Sequence, residues 1–114
     1  KNKKDLKKAL TIYKDNKLIS LASVSPVIQH PYELIKGIKS DWEPLLEWNG
    51  HKNRQDLYTN YFYINGCFYI FNVKNLILKK SIVVKETYMF EMDSKYCIDV
   101  DDIEDFELAK KLLY

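Results

Sequence analysis

The stretch Cys97–Leu113, which reads C-I-D-V-D-D-I-E-D-F-E-L-A-K-K-L-L, predicts a short strand that runs directly into a helix with an acidic start. Aliphatic and acidic residues alternate at its beginning. At the two-residue period of a strand, the side chains of Ile98 and Val100 face a core. The carboxylates of Asp99 and Asp101 then face the opposite way, roughly 6.5–7 Å apart along the strand. The pattern therefore places two acidic groups together on one side of the chain.

Two carboxylates in this arrangement suit a hydrated divalent cation. Magnesium keeps several of its waters and typically takes one or two protein carboxylates plus substrate phosphates. Asp99 and Asp101 are therefore candidate ligands for Mg²⁺ or Mn²⁺, which points toward nucleotide chemistry. The alternative is that Asp101 or Asp102 is the N-cap of the helix, followed by Glu104 and Asp105, which complement the positive end of the helix dipole. The local sequence leaves both interpretations open and by itself favours the cap.

The rest of the chain alternates helical and strand patterns. Apolar residues at helical spacing predict a helix over Lys4–Lys14, and Leu18–Val24 reads as a buried strand. A helix that leads into a strand favours an α/β fold. The further predicted elements are strands at Tyr61–Ile64, Cys67–Phe71, Ser81–Lys85 and Thr87–Met92, and helices at Val73–Leu78 and Ile103–Leu113.

Composition is that of one compact protein unit. With 46% hydrophobic residues in 114 positions, the chain has enough apolar material for a single core. The formal net charge of +2 gives no reason to expect binding to nucleic acid or to a membrane. Since no apolar run approaches the ~20 residues of a membrane span, we expect a cytoplasmic protein. Cys67 and Cys97 lack C-x-x-C spacing and lie among apolar residues, which predicts reduced core cysteines.

A second informative stretch is Asn53–Phe71, which reads N-R-Q-D-L-Y-T-N-Y-F-Y-I-N-G-C-F-Y-I-F. Together with I-D-V-D-D-I-E-D-F-E-L-A near the C-terminus, it resembles the acylneuraminate cytidylyltransferases, the CMP-sialic acid synthetase family. In that family R-Q-D-L-P precedes N-G-A-I-Y-I, and S-I-D-I-D-T opens the last helix. Ser23–Tyr32, S-V-S-P-V-I-Q-H-P-Y, is similar to the strand and H-P segment of the family. The resemblance covers nearly the whole chain but only the C-terminal half of the enzyme.

The resemblance implies a fold. We expect residues 1–114 to be the C-terminal portion of one cytidylyltransferase domain, a mixed-sheet, nucleotide-diphospho-sugar transferase-like (Rossmann-like) domain. Residues of about 30–60, where prolines and glycines interrupt apolar patches, would form an arm that embraces the second subunit of a homodimer. The glycine- and lysine-rich nucleotide loop of the family has no counterpart here. We therefore expect a piece, inactive alone, of a protein about twice as long, a size that the resemblance implies.

The resemblance also implies roles for individual residues. Asp99 and Asp101 would be the catalytic and metal-binding pair, and Arg54, Asn65 and Tyr69 would bind substrate. The planar guanidinium of Arg54 can hold a carboxylate through two parallel hydrogen bonds, and the resemblance implies that it reaches the sugar acid across the dimer interface. Taken alone, Arg54 reads equally well as a surface arginine in an ion pair.

Asn65 and Tyr69 have plain structural interpretations as well. Asn65 with Gly66 forms the dipeptide most typical of a tight hairpin turn, because both residues tolerate positive φ. Tyr69 and Phe71 alternate with Ile70, and a stripe of aromatic residues is more often part of a core than a platform for a sugar.

The reaction that the resemblance implies joins CTP to a nonulosonic (sialic-type) acid. The anomeric hydroxyl of the sugar acid attacks the α-phosphorus of CTP, and the products are the CMP-sugar and pyrophosphate. Asp101 would be a metal ligand, and Asp99 a second ligand or an orienting base acting through water. Three alternatives stay open: a non-catalytic dimerisation or sugar-binding module derived from the family, a stand-alone protein whose aspartates cap a helix, and a Kdo-type cytidylyltransferase.

Overall fold

The described residues contain both helices and strands, in agreement with the predicted α/β class. The structure is a computed structural model that describes residues 3–46 and 61–113. In order, its elements are α1 (Lys3–Asp15), β1 (Ser20–Pro26), β2 (Ile35–Ile38), β3 (Asp41–Pro44), β4 (Phe62–Phe71), α2 (Val73–Lys79), β5 (Tyr88–Glu91) and α3 (Ile103–Leu113), with 3-10 turns at Pro31–Glu33 and Ser94–Tyr96. The described residues fall into two compact units, divided between residues 25 and 26 and between residues 63 and 64.

β1 is the central strand of a mixed three-stranded sheet with the order β4-β1-β5. It runs parallel to β5, with Leu21 opposite Tyr88. It runs opposite to β4, since Ser23 bonds to Phe68 whereas Ser25 bonds to Asn65. β1 is buried from its first residue to its sixth, because its small and β-branched side chains allow both faces to be covered.

The core of the first unit lies between α1 and the sheet. Its buried members come from α1, all three strands and the segment that follows β5: Ala9, Leu21, Cys67, Phe90 and Met92. The small side chain of Ala9, fully buried, lets α1 approach the strands closely. Each large apolar side chain removed from water contributes roughly 1.5–3 kcal/mol. From α1, Ala9, Ile12 and Tyr13 contact this core, whereas Leu6 and Leu10 are exposed.

The Asn65–Gly66 dipeptide does not form a hairpin turn. The two predicted strands around it are one strand, β4, which is continuous from Phe62 to Phe71. Gly66 has φ +68°, a left-handed conformation that glycine adopts without steric cost. A glycine of this kind inside a strand is typical of a β-bulge. The hairpin interpretation, based on the dipeptide alone, is therefore wrong.

Two other predicted strands are absent from the described residues. Residues 81–85 form bends and turns, because the Thr87 side chain accepts a hydrogen bond from the backbone N–H of Val84 at 2.8 Å. The second is the segment that precedes α3: residues 97–101 have no regular secondary structure. The alternation of Ile98 and Val100 with aspartates thus does not reflect a strand.

The second unit contains the antiparallel hairpin of β2 and β3, with Ile35 opposite Pro44 and Ile38 opposite Asp41. Gly37 has φ +101°, and a Cβ atom there would overlap the backbone oxygen of Asp41, so the close approach of the strands requires glycine. Several apolar side chains of the hairpin are exposed, including Ile38 at 73%. The expected arm of residues 30–60 overlaps this unit, although its part from 47 to 60 lies outside the described residues.

Across the two described ranges, the structure holds no helix that is both long and apolar enough to cross a membrane.

Candidate functional site

The two predicted metal-binding carboxylates lie in the irregular segment before α3, and both residues are exposed. Neither the Asp99 nor the Asp101 side chain takes part in an ion pair or hydrogen bond with the part of the chain that the structure describes. Within the same ranges, no group of three or more acidic, histidine or cysteine side chains comes together as a metal site. What the site offers is one pair of uncommitted carboxylates.

Asp102 has a different role, that of the helix cap. Its Oδ1 accepts a 2.8 Å hydrogen bond from the backbone N–H of Asp105, and α3 begins at the next residue, Ile103. The carboxylate of Asp105 in turn accepts from the backbone N–H of Asp101 at 3.2 Å. The cap interpretation thus applies to Asp102. It leaves the carboxylates of Asp99 and Asp101 free of helix capping.

Cys67 and Cys97 are joined in a disulfide, with Cα atoms 5.8 Å apart. This separation lies within the range usual for disulfides. The prediction of two reduced core cysteines is therefore wrong, although Cys67 is indeed buried in the core. Sequence spacing gave no signal, because the two cysteines are 30 residues apart and come together only in the folded chain. The disulfide attaches the start of the carboxylate segment to the sheet.

Asn65 lies at the centre of a hydrogen-bond network. Its Oδ1 accepts from the hydroxyl of Ser23 at 2.6 Å and from the backbone N–H of Cys67 at 3.1 Å. Its Nδ2 donates to the hydroxyl of Ser25 at 2.7 Å. Both serines are fully buried, so these bonds form largely out of water. The Asn65 side chain is thus held by β1, and its predicted role toward a sugar stays a prediction.

The serines of β1 are the site residues that the motif comparison missed. Ser23 and Ser25 alternate at period two on β1, although the predicted strand, Leu18–Val24, included Ser23 and ended one residue before Ser25. A hydroxyl buried in a central strand needs a hydrogen-bond partner. That requirement was the available signal, although the sequence did not show that the partner is Asn65.

Gly66 and Tyr69 present an open side of β4. A Cβ atom added to Gly66 would meet nothing within 4 Å, so the backbone there is accessible. The Tyr69 side chain is 40% exposed, whereas its neighbour Ile70 packs against the core. Phe71 is half-buried and lines a small recess with Leu76 of α2. Tyr69 is thus available to a ligand, and Phe71 is less so.

An apolar cleft of about 290 Å³ lies beside the carboxylate segment. Ile98 and Val100 form one wall with Tyr96, and the other wall consists of Phe106, Ala109 and Leu112 from α3. Ile98 and Val100 line the cleft together with residues of α3, but Val100 is 51% exposed, so the prediction that both face a core is wrong for Val100. Asp99 and Asp101 are not part of the cleft lining.

Arg54, the predicted carboxylate anchor, falls outside the described residues. His30 is buried in the second unit, where its ring stacks on Tyr32 and meets the edge of Tyr61 at a centroid distance of 4.5 Å. Its Nδ1 accepts a hydrogen bond from the backbone N–H of Tyr32 at 3.1 Å, an arrangement that fits a structural role.

Comparisons with known proteins give three curated relatives. The chain is 30% identical over 105 residues to the N-acylneuraminate cytidylyltransferases of Streptococcus agalactiae serotype III (strain NEM316) and of serotype Ia. It is 29% identical over 103 residues to the enzyme of the same name from serotype V of that species. No protein-family model matches the chain. The resemblance drawn from the motifs is confirmed by these matches.

Each of these alignments covers 89% of this chain but 24% of the relative. The chain therefore spans about a quarter of the length of the curated relatives it matches. These relatives are about four times as long as this chain, whereas the motif comparison implied a protein about twice as long.

Proposed function

Because the chain is related in sequence to the acylneuraminate cytidylyltransferases, we propose that it is part of an enzyme that transfers CMP from CTP to a nonulosonic acid. The anomeric oxygen of the sugar acid forms a bond to the α-phosphorus of CTP. The bond between that phosphorus and the oxygen leading to the β-phosphate breaks, and pyrophosphate leaves. The hydroxyl proton passes to water or to a carboxylate.

The observation that carries the proposal is that only one of three neighbouring aspartates caps the helix. Asp102 is committed to the first turn of α3, whereas Asp99 and Asp101 are exposed and uncommitted. A helix cap needs a single side-chain acceptor, so capping does not account for the other two. Magnesium bound to a triphosphate typically takes one or two protein carboxylates, and Asp99 and Asp101 can supply them.

The donor set fits magnesium or manganese. Asp99 and Asp101 supply oxygen ligands without cysteine or histidine, which suits hard divalent cations, and the remaining positions stay open for water and phosphate oxygens. When bound, the ion would neutralise charge on the triphosphate and the leaving pyrophosphate. Asp101 is the proposed ligand, and Asp99 is either the second ligand or the group that orients a water.

The sugar side of the site is assigned to β4 and to the arm. Tyr69 offers an exposed aromatic face beside the accessible backbone at Gly66. Asn65, held by β1, shapes the same part of the strand. Arg54 is the proposed partner of the sugar carboxylate, reaching it from the second subunit of a homodimer. The exposed apolar side chains of the β2–β3 hairpin supply a surface suited to such a contact.

The nucleotide side of the site is proposed to lie outside these 114 residues. The chain contains Gly37, Gly50 and Gly66, which are too far apart to form a glycine-rich phosphate loop. The piece by itself should therefore not turn over CTP.

The test uses the complete protein that carries these residues. We would incubate it with CTP, Mg²⁺ and a panel of sialic, legionaminic and pseudaminic acids and Kdo, and follow pyrophosphate release. Asp101→Asn should abolish turnover without unfolding the protein, since an exposed carboxylate is replaced by an amide of the same shape. Asp102→Asn is the matched control, because asparagine still caps a helix while the same charge is removed one residue away.

Each outcome discriminates between the candidate functions. Full activity of Asp101→Asn would contradict the site assignment. Turnover with Kdo alone would favour the Kdo-type enzyme over the sialic-type one. Binding of a sugar acid without any pyrophosphate release would favour the non-catalytic module.

A further inference from the structure

The disulfide between Cys67 and Cys97 joins the two chain segments that carry the proposed site residues. Cys67 follows Asn65 by two residues on β4, and Cys97 precedes Asp99 by two residues. We propose that this disulfide is a positioning element that fixes the carboxylates of Asp99 and Asp101 relative to β4, so that its reduction weakens cation binding. The inference rests on the proposed function, because it takes the two carboxylates as the cation ligands.

The carboxylate segment needs such an anchor because it has no strand partner among the described residues. Residues 97–101 are irregular. At their far end, the segment is fixed by the bonds between Asp102, Asp105 and the backbone of Asp101. At the near end, the 3-10 turn contributes a hydrogen bond from the Cys97 N–H to the Ser94 carbonyl, within the same segment. The disulfide links that end covalently to the sheet.

The sheet end of the disulfide is rigid. Cys67 is 5% exposed and packs in the core with Leu21, Phe90 and Met92. Two residues earlier, Asn65 is held by the buried hydroxyl groups of β1. A covalent link to such a point transmits its fixed position to the segment that follows Cys97.

Without the disulfide, a weak contact remains. The Cys97 Sγ lies 3.3 Å from the backbone carbonyl oxygen of Asn65. A thiol at that place is a weak hydrogen-bond donor, and its bond can break and reform, which a covalent link cannot. We therefore expect the reduced segment to sample more positions than the oxidised one.

The redox chemistry balances with a small-molecule disulfide as oxidant. Oxidised glutathione accepts two electrons from the two thiols, and the Cys67–Cys97 bond forms. The other product is two molecules of reduced glutathione, with no net release of protons. In reverse, a glutathione thiolate attacks the half-buried Cys97 sulfur, and the Cys67 thiolate leaves and takes up a proton. A second glutathione thiolate then attacks the glutathione sulfur of the mixed disulfide, which releases the Cys97 thiolate, protonated in turn, and oxidised glutathione.

The test is made on the complete protein, with Mn²⁺ as the probe. The oxidised protein and a reduced, desalted sample would be compared for Mn²⁺ binding by electron paramagnetic resonance, with and without CTP. Loss of the link should raise the Mn²⁺ Kd by about tenfold, the size of effect expected when a group that orients metal ligands is removed. Cys67→Ala should bind like the reduced protein under both conditions, which controls for other effects of the reductant.

A second readout tests the link directly. Iodoacetamide applied to the denatured, unreduced protein should leave the peptides that contain Cys67 and Cys97 unmodified, and prior reduction should expose both. Modification without reduction would overturn the inference. Equal Mn²⁺ affinity of the oxidised and reduced forms would overturn the inference and leave the proposed function intact. Failure of both forms to bind Mn²⁺, even with CTP, would instead contradict the metal role itself and the inference with it.

Discussion

The hydroxyl of Ser23 on β1 donates a 2.6 Å hydrogen bond to the side-chain carbonyl oxygen of Asn65 on β4. The same hydroxyl oxygen accepts from the backbone N–H of Phe68 at 3.1 Å. On the neighbouring serine, Ser25, the hydroxyl accepts from Asn65 and donates to the backbone oxygen of Met92. Side-chain bonds thus connect β4 through β1 to the residue that follows β5.

Replacing Ser23 by alanine should destabilise the protein. The Phe68 N–H loses its acceptor and the Asn65 side chain loses one donor, both in a partly buried setting. Loss of a partner there costs about 1–3 kcal/mol of the free energy of unfolding. Urea denaturation would measure it. The control is Ser81→Ala, whose exposed hydroxyl bonds to a carbonyl two residues away and whose removal should have little effect. Equal stability of both variants would contradict the importance of the network.

Replacing Gly66 by alanine tests the left-handed backbone of β4. No atom lies within 4 Å of the added Cβ, so any cost arises from the conformation at φ +68° and not from a clash. An alanine in this region costs about 1–2 kcal/mol. Gly66→Asn should cost less, because asparagine tolerates left-handed conformations better. Thermal denaturation of the two variants gives the comparison, and an order with alanine the more stable would argue against the bulge.

Replacing Asp102 by alanine should weaken α3 through loss of its cap. The side chain accepts the N–H of Asp105 at 2.8 Å, and N-cap removal typically costs about 0.5–2 kcal/mol. Helix content by circular dichroism and stability in urea should both fall, whereas Asp102→Asn should stay close to the original protein. A similar loss for both substitutions would show that charge, and not capping, is what Asp102 provides.

The carboxyl of Asp93 should titrate below its ordinary pKa of 3.8. The first cause is the hydrogen bond from the backbone N–H of Lys95, and the nearby ammonium group of Lys95 adds to it. A lowered pKa in the folded state means that the ionised carboxylate favours folding. This contribution is present above pH 3.8 and is lost as the pH falls through the folded pKa.

Lys95→Ala separates the two causes. The substitution removes the ammonium group and keeps the backbone N–H, so the pKa of Asp93 should remain below its ordinary value. A titration of the Asp93 carboxyl carbon by NMR would show this. Return of the pKa to the ordinary value would mean that the side chain of Lys95, and not its backbone, causes the shift.

Elements with a strong periodic pattern could be predicted from the sequence, and elements set by distant contacts could not. The helix over Ile103–Leu113 was predicted with its exact bounds, and α1 and β5 within one or two residues at each end. These segments carry their own signal in the spacing of apolar residues. The turns at residues 81–85 mimic a strand in composition, and the Thr87 hydroxyl decides their structure.

The sequence could predict which residues belong to the candidate site, but it could not predict how they are arranged in space. The acidic pattern pointed to Asp99 and Asp101, and the structure leaves both exposed. Sequence could not assign the cap to Asp102 in preference to Asp101, because either residue can precede the same helix. Nor could the sequence pair Cys67 with Cys97, since that disulfide depends on the tertiary contact between β4 and the segment before α3.

The parallel pairing of β1 with β5 has a consequence for synthesis on the ribosome. Leu21 is opposite Tyr88, and the buried hydroxyl groups of Ser20 and Thr87 meet across 67 positions of the chain. The central strand β1 is synthesised well before β5, and contacts between residues so distant in sequence form slowly. Until β5 pairs with it, the apolar surface of β1 is accessible to chaperones and to other nascent chains.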